Sequence, residues 1–189
     1  MSYEEGLSSS DKKERLTTLK SLFNDPNINE KEKLNYLNKG LNDKHDLIRS
    51  KAVELLSEFK NESVFELLIK RIDQESFWGT RVLILSKLAE NIDFWNTEKY
   101  SKDLMKFIYD PKPKVRIQSA ILLSNKKIGA WEKISEIFYD KDPEVRKEVQ
   151  ILLEKSPDPE IQKKVQDHLK KVQEKEKKNK ELQQMFDGI

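Results

Sequence analysis

Cysteine is absent from this 189-residue chain, so disulfides, thiolate-held zinc and cysteine nucleophiles are excluded together. Glycine and proline are scarce, at five and six residues, and the prolines stand mostly where turns are expected, which favours an all-α fold. No run approaches the roughly 18–20 apolar residues that a membrane span requires. Residues 1–10 carry two glutamates and no apolar core, so they do not read as a signal peptide. Neither sign of charge prevails: 36 basic residues against 34 acidic ones leave +2, whereas a dedicated nucleic-acid binder usually shows a basic excess. The two histidines, His45 and His168, are far apart, and neither forms a His-Glu pair on a helix face, so no metal site is expected. Glycine-rich phosphate loops and Gly-x-Ser-x-Gly elbows are missing as well. The expectation is a soluble, cytoplasmic, non-catalytic protein with no cofactor.

What the chain does have is charge and repetition. Charged residues make up 37% of it, against about 25% in an average domain, which suits a thin array with a high surface-to-core ratio. The stretch Tyr139-Asp140-Lys141-Asp142-Pro143-Glu144-Val145-Arg146 has a copy thirty residues earlier, Tyr109-Asp110-Pro111-Lys112-Pro113-Lys114-Val115-Arg116. Laid over one another without gaps, 104–123 and 134–153 also share a terminal Ile-Leu-Leu. They keep apolar pairs at Leu104 and Ile134, Phe107 and Ile137, Ile108 and Phe138. A repeat of this period in a helical sequence points to a stacked solenoid.

A helix that ends near an Asp, a short turn, and a second helix opening with a Pro-x-Val-Arg type signature make a pattern that resembles the HEAT-like repeat family. The resemblance covers roughly 25–155, and repeats of the bilin-lyase type look similar. It implies a right-handed α-solenoid of about ten helices, roughly four HEAT-like pairs with irregular ends. It also implies that Asp and Arg of successive turns form a polar ladder between repeats. The matching residues are Asp43 with Arg49, Asp110 with Arg116, and Asp140 with Arg146, each pair six apart. Asp73 and Arg81 are eight apart, so that turn is expected to carry two extra residues. Asp25 has Lys31 at the Arg position, which keeps the charge and loses the planar fork.

The chain then divides into a disordered 1–10, a solenoid over 11–172 and a polar helical extension with an apolar end over 173–189. Asp11 offers a helix N-cap, and Leu16, Leu19 and Phe23 follow at helical spacing. Val82, Leu83, Ile84, Leu85 and Leu88 leave their helix little polar surface, which marks it as the buried centre of the stack. Pro113, Pro143 and Pro159 each open a helix.

Four features compete for function. The recurring acids Asp43, Asp73, Asp110 and Asp140 read as turn and ladder groups, so no catalytic residue is assigned. Phe77 and Trp78 read either as core filling behind an irregular turn or as anchors for a partner, where tryptophan is favoured. Leu182, Met185, Phe186 and Ile189 fall at i, i+3, i+4 and i+7, either a helix-in-groove pattern suited to a partner or to a second copy of the chain, or a tail that folds back on its own solenoid or on nothing. Between 163 and 180 eight lysines outnumber three acids, a solvated helix face or an electrostatic patch. The reading is a scaffold or adaptor that binds another protein along the solenoid surface. The alternative is an auxiliary nucleic-acid-binding protein of the HEAT-like DNA-glycosylase class, and a bilin-lyase-type enzyme is a third option.

Overall fold

The computed structural model describes residues 2–187, with side chains described through Lys178 except at 175 and 176. Among these residues the chain is an all-α solenoid. First helices α1 (Tyr3–Leu7), α3 (Glu30–Leu41), α5 (Glu62–Ile72), α7 (Thr97–Leu104) and α9 (Trp131–Ser135) alternate with second helices α2 (Lys12–Asn24), α4 (Asp46–Ser57), α6 (Trp78–Glu90), α8 (Pro113–Leu123) and α10 (Pro143–Leu153). A final helix, α11 (Pro159–Asp187), closes the array. The 3-10 segment Met105–Tyr109 extends α7. The second helices pack in succession, α2 on α4, α4 on α6, α6 on α8 and α8 on α10, so they form one continuous layer.

Helix starts follow the sequence chemistry. Asp11, Asn29, Asn61, Asn96 and Asp142 each accept a backbone N–H of the first turn through the side chain, which satisfies donors that the helix itself leaves free. Pro113 and Pro143 occupy first-turn positions, where the missing N–H costs nothing. α6 sits mid-stack as its composition predicts: Thr80, Ile84, Leu85 and Leu88 are buried, and Val82 and Leu83 are partly so. One core runs from Leu19 to Leu122 and a second from Ile108 to Val165, with Ile128 packed against both.

Residues 3–7 depart from the expected disorder. Ser2 and Glu5 form a reciprocal capping box on α1, Tyr3 donates its hydroxyl hydrogen to Asp25 at 2.7 Å, and buried Gly6 lies against Thr18. These contacts come from α2 and the turn after it, far along the chain. Asp25 lies in the turn between a second helix, α2, and a first one, α3, so it is not on the edge where the ladder runs.

Candidate partner-binding face and its polar ladder

The turns that open α4, α6, α8 and α10 are built on one plan. An acid stands two residues before the helix N-cap and accepts the N-cap's own backbone N–H at 2.8 Å: Asp43 from His45, Glu75 from Phe77, Asp110 from Lys112 and Asp140 from Asp142. An arginine follows six residues after that position. Its Nη1 curls back to donate to two turn carbonyls, as Arg116 does to Asp110 and Pro111 at 2.8 and 3.3 Å. The remaining edge, Nε with Nη2, grips both carboxylate oxygens of the next turn. The four such rungs are Arg15 to Asp43 (2.6 and 3.0 Å), Arg49 to Glu75 (2.8 and 2.6 Å), Arg81 to Asp110 (2.9 and 3.1 Å) and Arg116 to Asp140 (2.8 and 2.7 Å). Bidentate guanidinium–carboxylate pairs are the geometry that arginine alone supplies. Each rung locks one repeat to the next.

Burial gives these pairs their weight. Side-chain exposure is 5% and 9% at Arg116 and Asp140, and 8% and 0% at Arg49 and Glu75. Burial by itself would raise the Glu75 carboxyl. Hydrogen bonds from Arg49 and the Phe77 N–H, together with the charges of Arg49 and Arg71, outweigh it and hold the pKa below the ordinary 4.5. Asp43 and Asp140 behave likewise: burial pushes up, while the bonds from Arg15 and Arg116 and from the turn amides bring the net below 3.8.

The ladder corrects two sequence expectations. Asp73 is no rung; it is half exposed and pairs with Lys106 on the surface at 2.7 Å. Glu75, six residues before Arg81, takes its place, so the turn has no two extra residues. Glu75 also accepts from Arg71 at 3.1 Å, whose Nε caps the Leu41 carbonyl at 2.9 Å. Arg146, matched with Asp140 as a ladder residue, is exposed. Its Nη1 still donates to the Asp140 and Lys141 carbonyls at 2.7 and 3.0 Å. Two members went unrecognised in the sequence, Arg15 and Glu75. Their signal was the six-residue spacing, from Glu75 to Arg81 and from Ser9, whose carbonyl Arg15 holds at 2.7 Å.

With the ladder acids consumed internally, the outer features of the second-helix layer stand apart. Phe77 and Trp78 open α6, their ring centroids 5.8 Å apart. Trp78 is half-buried against the main core, whereas Phe77 is 38% exposed. Trp78 forms a groove of about 290 Å³ with Lys112, Pro113, Lys114 and Glu144, which spans the starts of α6, α8 and α10. Neither Lys112 nor Lys114 makes an ion pair among the described residues. The other aromatic pair divides: Trp95 is buried and donates Nε1–H to the Leu88 carbonyl at 2.9 Å, and Phe94 is exposed beneath Lys60. The apolar stripe of Leu182, Met185, Phe186 and Ile189 lies outside the residues whose side chains are described. Among the described residues no cluster of His, Asp or Glu could hold a metal, and no helix is long and apolar enough to cross a membrane.

No protein-family model matches the chain, and no curated protein does. Among solved structures it is similar to a designed armadillo repeat protein, YIII(Dq)4CqI, with a TM-score of 0.50 and 18% identity, over 87% of this chain and 95% of that one. That likeness is one of fold: a helical repeat solenoid.

Proposed function

We propose that the chain is a non-catalytic adaptor of the HEAT-like type, which binds another protein across its second-helix layer with Phe77 and Trp78 at the centre of the contact. The observation that carries this reading is the aromatic pair at the start of α6, of which Trp78 shares a groove with two lysines that make no ion pair among the described residues. A soluble repeat protein has the means to bury such rings, as Trp95 demonstrates. Tryptophan combines a large apolar area with a polar edge and dominates interface energetics. Solenoids of this kind bind along the extended surface that their stacked helices create.

The test compares proteins captured from the native cell by the wild-type chain and by two variants. Phe77→Ala with Trp78→Ala removes the rings; Lys112→Glu with Lys114→Glu reverses the groove's charge and touches no core. Specific partners lost with both variants, at unchanged helical content, support the reading. An identical partner set for all three chains contradicts it.

A further inference from the structure

The ladder does not end where its arginines end. At four turns the fork formed by Nε and Nη2 grips a carboxylate of the following turn, and Nη1 fixes the guanidinium to its own turn carbonyls. Arg146 keeps the second half of that arrangement through Asp140 and Lys141, so its guanidinium is held in the rung orientation. Its fork has no partner among the described residues. Among the described residues α11 runs from Pro159 to Asp187 without a break, and no turn there brings an acid to this edge.

We propose that Arg146 is a docking point for a carboxylate of another protein, an Asp or Glu presented at an exposed turn, which completes the ladder in trans. Charge favours that occupant. Lys141 and Lys147 flank the arginine and are exposed, and neither is ion-paired among the described residues. The acids of the same helix, Glu144 and Glu148, do not bond to the guanidinium. A second copy stacked head to tail is a poor occupant. Its first turn carries Ser9 at the acid position, with that hydroxyl already joined to the Asp11 N–H and to Glu14. Arg146 is not among the residues that line the Trp78 groove, and the two proposals fail separately.

The probe is a fluorescein-labelled, N-acetylated hexa-aspartate peptide, followed by anisotropy at low salt against the full chain. Wild-type protein should bind it saturably. Arg146→Gln and Arg146→Lys should each weaken binding by about tenfold, because an ammonium keeps the charge but cannot offer the two parallel donors of the fork. The Arg146 Nε–H resonance should shift on titration in the wild type. Both variants should melt like wild type, since Arg146 is exposed. Arg146→Lys binding as tightly as wild type would overturn the proposal, as would an unmoved Nε–H resonance or no saturable binding at all. Loss of binding through Lys112→Glu and Lys114→Glu alone would overturn it too.

Discussion

Replacing Arg116 by alanine tests the ladder at a rung whose partners are all visible. The change strands the Asp140 carboxylate, 9% exposed, with the Asp142 N–H as its remaining donor. It also removes the donor from the carbonyls of Asp110 and Pro111. Breaking a buried ion pair from one side costs roughly 3–5 kcal/mol. Both groups retain some solvent, so the lower end, about 3 kcal/mol, applies. At roughly 2–4 °C per kcal/mol for a chain of this size, the melting temperature should fall by about 6–12 °C. The transition should also broaden, because a repeat array is stabilised through nearest-neighbour interfaces. Arg116→Lys should recover less than half of the loss. Arg146→Ala is the internal control: it forfeits two exposed hydrogen bonds, worth about 1 kcal/mol or less in total at such a site. Circular dichroism or calorimetry reads all three. The reasoning is refuted if Arg116→Ala melts within about 2 °C of wild type, or no lower than Arg146→Ala.

Acid should act through the same groups. Folded-state pKa values of Asp43, Glu75 and Asp140 lie below their ordinary 3.8, 4.5 and 3.8, so their stabilisation is complete above the unfolded values and is lost as pH falls through the folded ones. Thermal melts should therefore stay level through the neutral range and decline below about pH 4.5, with a shallower decline in Glu75→Gln. Gly6→Ala places a methyl 2.4 Å from Thr18 Oγ1 and should lift α1 from α2 at a cost of about 1–3 kcal/mol; hydrogen exchange should accelerate at 3–7 and stay unchanged in α6. Phe77→Ala removes a ring that is 38% exposed and should change stability by under about 1 kcal/mol while weakening partner binding.

The architecture was legible in the sequence because it is written locally. Caps, prolines and the arginine's bond to a carbonyl six residues back all operate within one turn and its helix. The grip on the next turn is a tertiary contact, and there the reading slipped. Asp73 looked like the family's acid, yet it sits at the C-terminal end of α5, and Glu75 reaches Arg49 with one more methylene. α1 was invisible for a similar reason: Gly6, Thr18, Tyr3 and Asp25 meet only once the helices pack. Arg146 shows the converse. Its motif matches the inner repeats fully, yet among the described residues no turn follows α11 to supply its acid. At the candidate site the Phe77–Trp78 pair divides: Trp78 packs against the main core, as the core reading expects, and Phe77 is 38% exposed. What joins Trp78 to Lys112 and Lys114 is the seating of α8 on α6, a relation between repeats that no single turn encodes.

Lysine-reactivity footprinting of the chain, free and saturated with its captured partner, tests the binding account most directly. Lys112 and Lys114 line the Trp78 groove, while Lys70 and Lys102 are exposed on the first helices α5 and α7. The account predicts that acylation of Lys112 and Lys114 slows strongly in the complex and that Lys70 and Lys102 react as before. Protection of Lys70 and Lys102 with Lys112 and Lys114 unaffected would contradict it.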